Sequence, residues 1–389
     1  MHAGRIIFAQ LMDFLPKHEF DHCVRRYHGN RRVRRFSCFD QFLCMAFAQL
    51  TYRDSLRDIE TCLLAMQSKL YHAGFRGDVS RSTLADANKV RDWRIYADLA
   101  AVLIAHARRL YVDEAFALDL DQTAYAFDST TVDLCLSLFP WAQFRRRKSA
   151  VKLHTLIDLR GNIPCFVHVS SGRMADVTAL DLLVIEAGAF YVMDRGYTDF
   201  ARLYAFTQGL AFFIIRAKRD LDFARLGYRQ VDKSTGLRSD STIRLCGPKT
   251  STLYPVPLRR ISYYAADIDK RFVFLTNNFA LPALTITQLY KCRWQVELFF
   301  KWIKQYLRIK AFYGTSINAV KTQVWVAISV YVLVAIVKKE LNIERSLGEI
   351  LQILSISLFE KTPLLQAFSH DSLTMENRAN HKQLSLFDF

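Results

Sequence analysis

The chain has 389 residues, 51% hydrophobic and 13% aromatic, enough to bury a large core in two or three domains and too apolar for a disordered protein. Its formal charge of +16 favours a polyanionic partner, because each Lys or Arg set on a phosphate releases condensed counterions. The eight cysteines form no Cys-x-x-Cys pair and no zinc-type cluster with histidine, so they read as reduced, mostly buried thiols of a cytosolic protein.

Arg5, Asp13 and Lys17 interrupt the opening stretch, which carries no signal pattern. Residues 1–110 read mostly as helices, with apolar helical spacing at 39–50 and again at 55–66. Between Arg25 and Arg35 lie six arginines, among them Arg31, Arg32, Arg34 and Arg35, around a Gly29-Asn30 turn signal. The functional reading is a mobile basic loop that grips a DNA backbone. Ser80 to Arg94 begins with cap-type residues and runs into a basic helix, a candidate recognition helix.

From about residue 113 the period changes. Strand-like runs fall at 124–127, 153–159, 165–169, 190–193 and 212–215, with a hairpin turn at Arg160-Gly161-Asn162. Helical patterns between the later strands indicate an α/β core. Asp128 follows the first apolar run and Asp194 the fourth, each at or near a strand end. Asp119, Asp121 and Asp133 lie close to Asp128, and chemistry alone does not choose among them. Arg145, Arg146, Arg147, Lys148 and Lys152, between the first strands, suit a path for a DNA strand.

Residues 218–271 carry 12 Lys/Arg, 6 Asp and no Glu, with short alternating runs, Gly227, Gly236, Gly247 and three prolines. Small strands and turns are expected there. Beyond them, Tyr290, Arg293, Glu297 and Lys304 fall within about 60° on a continuous helix. Leu298, Phe299 and Ile303 on its other side suit a core, and Lys301 adds a further cation. Three carboxylates (Asp128, Asp194, Glu297) without thiolate or imidazole are hard oxygen ligands for magnesium or manganese. Val324–Val337, the most apolar run, has 14 residues, which suits a buried helix and not a membrane span.

Taken in order, Asp128-Ser-Thr-Thr, Asp194-Arg-Gly-Tyr and the Tyr290/Arg293/Glu297/Lys304 series resemble the DDE transposases of bacterial insertion sequences, IS4 family. The spacings fit as well: 66 residues from Asp128 to Asp194, then 103 to Glu297. Arg53-Asp-Ser-Leu-Arg-Asp-Ile-Glu60 is similar to the N-terminal domain of one branch. The resemblance implies a fold class: α/β, with an RNase H-like core of mixed sheet and flanking helices, a β-rich insertion and a helical N-terminal DNA-binding domain. The expected boundaries are 1–110, core 113–217, insertion 218–271, core 272–345, and a C-terminal helix and tail at 346–389.

It also implies two Mg²⁺ ions on Asp128, Asp194 and Glu297, with Mn²⁺ able to substitute. Tyr290, Arg293 and Lys304 would hold phosphates. The partners would be double-stranded DNA, both inverted-repeat ends and target, bound by a homodimer in the bacterial cytosol and nucleoid. The route would be cut-and-paste, with a hairpin intermediate. Related insertions help to hold a flipped base. Without tryptophan in residues 218–271, Tyr254, Tyr263 or Tyr264 would serve, with Trp294 a further candidate that packing in the core explains more simply. The terminal Gln383-Leu384-Ser-Leu386-Phe387 resembles the peptide by which bacterial proteins bind the sliding clamp. The rival readings are a stand-alone RNase H-like nuclease, which cuts without joining, and an inactive DNA-binding derivative, which predicts a broken acidic triad.

Overall fold

A computed structural model describes residues 4–114, 118, 120–145, 148–305 and 312–368. Seven helices come first: α1 (Ile7–Met12), α2 (Lys17–Arg26), α3 (Cys38–Leu50), α4 (Leu56–Ala65), α5 (Gln67–Leu70), α6 (Arg81–Val90) and α7 (Arg94–Leu110). Serines start three of them. Ser37 and Asp40 form a reciprocal capping box on α3, and Ser55 and Ser80 accept from Asp58 N–H and Thr83 N–H. Each hydroxyl satisfies a backbone donor that the first helical turn leaves unpaired.

The sheet follows as β1 (Ala124–Leu134), β2 (Gln143–Arg145), β3 (Lys148–Asp158), β4 (Ile163–Ser171), β5 (Phe190–Met193) and, after α8 (Phe200–Gln208), β6 (Phe212–Arg216). Next come β7 (Phe223–Arg229), β8 (Leu237–Leu245), α9 (Pro248–Leu253), β9 (Leu258–Ala265) and β10 (Lys270–Thr276). The order β4-β3-β1-β5-β6, antiparallel among the first three and parallel at β1-β5-β6, is that of an RNase H-like sheet. Gly161 and Asn162 close the β3–β4 hairpin with φ of 72° and 56°, as the turn signal predicts.

The strands of the 218–271 segment form no separate body. Strand β10 pairs with β6, and β9, β8 and β7 extend the same sheet outward. A buried ion pair, Arg259 to Asp240 at 2.7 Å, ties β8 to β9, and Arg259 also donates to the Leu281 carbonyl.

Five helices complete the described chain: α10 (Ala283–Cys292), α11 (Trp294–Gln305), α12 (Ile317–Glu340), α13 (Leu347–Ser357) and α14 (Leu364–Phe368). One sheet face, with Ala126, Val132, Leu153 and Val192, packs in the core that holds the large helices; the other, with Phe127, Tyr191 and Phe213, packs beside α8. The apolar run foreseen at 324–337 lies within α12, whose 24 residues pass the length and hydropathy of a membrane span. Residues from Ala319 to Val337 are almost all buried against α7, α3 and α6, so α12 is a core helix, as an all-round apolar helix should be.

That packing crosses the boundaries expected near 110 and 346. The N-terminal helices share one hydrophobic core with α12–α14, and Ile7 N–H and Phe8 N–H donate to the Glu360 and Leu358 carbonyls. At the far end of α6, Asn318 of α12 donates to the Asn88 and Arg91 carbonyls and accepts from Trp93 N–H. The break near 110 is one of sequence pattern and not of packing.

Candidate active site

Strand β5 ends where the site begins. Phe127 pairs with Met193 in the parallel β1–β5 ladder, so Asp128 and Asp194 are the next positions on adjacent strands, about 4.8 Å apart by strand spacing. Asp128 does not end its own strand, contrary to the sequence expectation. Strand β1 runs on to Leu134 along β3, and only its parallel neighbour stops. Both carboxylates therefore stand at the carboxyl edge of β5, where a ligand can approach.

The predicted single helix through 290–304 is two helices, α10 and α11, meeting at Arg293. The break re-aims each polar group. The Arg293 guanidinium donates to Asp128 Oδ2 at 2.8 Å and to Glu297 Oε1 at 2.6 Å. Tyr290 packs its ring on Phe274 and donates to Asp194 Oδ1 at 3.3 Å. Lys304 Nζ donates to the Thr131 carbonyl of β1 at 3.0 Å, and Lys301 is exposed. Arg293 thus bridges two of the three acids, Asp128 and Glu297, while Asp194 on the neighbouring strand end bonds Tyr290. Phe299 and Ile303 are buried as expected, but Leu298 and Trp294 are exposed, Trp294 by 49%, so core packing does not explain that tryptophan.

Burial pushes the Asp128 carboxyl up to about 6, against the Ser129 N–H and Arg293, which favour its charged form, and with Asp194 and Glu297 adding repulsion. Burial likewise raises the Tyr290 phenol to about 12, so it stays a hydrogen-bond donor. The donor set of three carboxylates fits a hard divalent cation. Among the described residues, no three acidic, histidine or cysteine side chains stand at coordination spacing. The guanidinium of Arg293 lies between two of the three acids, with a positive charge where a cation would be attracted.

Other predicted residues divide. Arg31, Arg32, Arg34 and Arg35 are exposed on a loop in which residues 29, 31 and 33 make backbone hydrogen bonds and Asn30 accepts from Cys38 N–H. Lys152 does not face outward; its ammonium is held by Asp176 at 3.0 Å and the Met174 carbonyl, on the sheet face opposite Asp128. Beside it, buried His154 bonds Ser170, and burial pushes its imidazole down to about 4. Nothing in the sequence pattern marked this polar cluster. Arg146 and Arg147, with the side chains of Arg145 and Lys148, lie outside the described residues, as do Asp119, Gln383, Leu384, Leu386 and Phe387.

Of the aromatic candidates for stacking, Tyr254 is fully buried and bonded to Thr207, and Tyr264 donates to Asp269. Tyr263 is half-buried with the Lys291 ammonium 5.9 Å from its ring centre. The eight cysteines are free, three of them buried, three half-buried, and Cys135 and Cys246 exposed.

An RNase H-like sheet with Asp128 on a central strand, Asp194 just past the end of its parallel neighbour and Glu297 on a later helix is the arrangement that the resemblance to DDE enzymes implies. The comparisons agree. Residues 119–333 match the family described as the transposase DDE domain, and residues 3–76 match a domain of unknown function. The transposase-named protein y4zB of Sinorhizobium fredii is 32% identical over 72% of this chain and 77% of its own. A transposase named for element IS5377 of Geobacillus stearothermophilus is 28% identical over 68% and 70%, and one named for IS4SA of Synechocystis is 22% identical over 91% and 96%. The chain belongs to the DDE transposase family, in agreement with the IS4 resemblance, and it is an enzyme of DNA transposition. DDE transposase domains in general depend on a divalent metal.

Proposed function

We propose that Asp128, Asp194 and Glu297 are the catalytic acids of a cut-and-paste transposase and hold magnesium, with manganese able to replace it. The observation that supports this most is the bridging of Asp128 and Glu297 by Arg293, with Asp194 on the neighbouring strand. A pair of such ions activates a water or a 3′-hydroxyl and stabilises the leaving oxygen of a phosphodiester.

The chain's own groups do the rest. Arg293 turns from the carboxylates to a phosphate next to the scissile bond, and Lys304 holds a second phosphate. Tyr290 donates to a phosphate oxygen, its proton secured by burial. Arg31, Arg32, Arg34, Arg35 and Lys301 take backbone contacts. Cleavage frees a 3′-hydroxyl, which attacks the opposite strand to close a hairpin; the hairpin is reopened and the end is joined to target DNA. Joining two ends calls for at least a dimer on DNA, and the terminal Gln-Leu-Ser-Leu-Phe peptide offers a contact for the sliding clamp.

The test uses duplex carrying the element's own end, with Mg²⁺ or Ca²⁺. Glu297→Ala should abolish nicks and hairpins on denaturing gels while binding the end in Ca²⁺ as wild type does. Substantial Mg²⁺-dependent cleavage by that variant defeats the assignment. Lys304→Ala should slow hairpin formation without abolishing it. Recovery of integrated product separates a transposase from a nuclease that cuts and never joins.

A further inference from the structure

The N-terminal helical segment carries a feature that the catalytic reading does not use. Four arginines, Arg31, Arg32, Arg34 and Arg35, are exposed on one short loop, and among the described residues none of the four forms an ion pair. Like charges so close repel one another and gain nothing from the fold.

The loop is nevertheless built to a fixed shape. His28 and Arg32 are held in the left-handed region at φ of 53° and 61°, where residues other than glycine are uncommon. Gly29 packs so closely that a Cβ there would lie 2.5 Å from Ile95 and 2.7 Å from Cys38. Beneath the loop, Arg91 donates to the Phe36 and Ser37 carbonyls and stacks on the Phe36 ring. The guanidinium stems are therefore presented from a rigid base. Preorganisation of this kind lowers the entropy lost when a partner binds.

Facing the loop across an open cleft of about 660 Å³ is α6. Its inner side, Leu84, Ala87 and Asn88, is buried, and its outer side presents Ser82, Thr83, Asp86, Lys89 and Val90. Arg31, Arg34 and Arg35 line one wall of the cleft, with Thr83, Asp86 and Val90 on the other. The helix is fixed at both ends, by the Ser80 cap and by the Asn318 amide on the Asn88 and Arg91 carbonyls.

A cationic wall beside a helix with short polar side chains and one apolar tip fits duplex DNA. The major groove, about 12 Å wide, admits a helix. Ser and Thr hydroxyls bond either kind of base-edge group, a carboxylate accepts from cytosine, and an apolar tip meets a thymine methyl. Arginines alongside neutralise phosphates and set the register. We propose that α6 reads the base sequence of the transposon end in the major groove, while Arg31, Arg34 and Arg35 clamp the adjoining backbone. This rests on the transposase reading and assigns the N-terminal segment to recognition of the element's end, separate from the chemistry at Asp128.

The experiment measures binding by the full chain in Ca²⁺, by fluorescence anisotropy, to a duplex of the element's own end and to a scrambled duplex. Arg34→Ala/Arg35→Ala should weaken both duplexes alike, tenfold or more, and lower the slope of log K against log salt by about 2, near 0.9 per phosphate contact. Thr83→Ala/Asp86→Ala should weaken only the end duplex, cutting the preference for it by about tenfold while the scrambled affinity stays as in wild type. Wild-type preference retained by both double variants overturns this proposal and leaves the transposase reading standing. Equal losses on both duplexes from Thr83→Ala/Asp86→Ala overturn the reading role of α6. Absence of any wild-type preference overturns the reading role of α6 and leaves the transposase assignment standing.

Discussion

Replacing Asp128 by Asn should stabilise the metal-free protein at pH 8 and not at pH 4. Two groups favour the charged carboxylate, the Ser129 N–H and the Arg293 guanidinium, both at 2.8 Å. Burial and the neighbouring acids outweigh them, and the carboxyl rises from its usual 3.8 to about 6. The folded chain therefore holds this proton more tightly than the unfolded chain does. Above pH 6 the site costs folding energy, and the cost disappears as pH falls through 6 towards 3.8. At about 1.36 kcal/mol per pH unit the full cost is about 3 kcal/mol, and relaxation reduces the expected gain to about 1–3 kcal/mol. Asn is nearly the same size, but its single oxygen accepts from one of the two donors and its amide NH₂ faces the other, which also lowers the gain. For a chain this long the gain corresponds to about 1–4 °C in Tm. The assay is thermal unfolding in EDTA at pH 8 and pH 4, wild type beside variant. The reasoning fails if the variant melts lower at pH 8, or if its advantage is the same at both pH values.

Three further outcomes follow from the same geometry. Arg293→Ala removes a cation that competes for Asp128 and Glu297; hydrogen bonds to charged groups contribute about 1.5–3 kcal/mol, so DNA-free protein should bind Mn²⁺ about tenfold or more tightly. Free Mn²⁺ measured by electron paramagnetic resonance checks this, and an unchanged or weaker affinity refutes it. The same variant should cleave more slowly, since the phosphate contact is gone. Asp240→Ala strands the buried Arg259 charge and should cost about 3–5 kcal/mol, read as a fall in Tm; a loss below about 1 kcal/mol would mean that the Leu281 and Asn278 carbonyls suffice for Arg259.

Some of this is legible in the residues and some is not, for physical reasons. Strand β5 and its aspartate are plain because Phe190–Met193 is apolar throughout and Gly196 follows close behind. The continuation of β1 through Asp128-Ser-Thr-Thr is hidden, because a polar run gives no alternation to count, although two β-branched threonines hint at it. Arg293 breaks its helix with no proline or glycine nearby, so only tertiary contacts betray the junction. Lys152 looks like a free cation in sequence because its partner Asp176 sits 24 residues on, at the start of a short 3₁₀ helix. The merging of the first and last helices is invisible locally, since Ile7 meets Glu360 more than 350 positions away. In the same way, the 218–271 strands reveal their composition but not that β10 would join them to β6.

Asn318 fastens the rear of α6 to the front of α12, and α12 runs on through the middle of the molecule. A strut of that kind works as a ruler. If α6 grips the element's end, the interval to the severed phosphodiester is measured by protein and not by a search along the DNA. An end lengthened by one base pair between the two points would turn its scissile bond by about a tenth of a helical turn, out of reach of the acids. Elements and enzyme would then have to change length together, which ties each insertion sequence to its own protein.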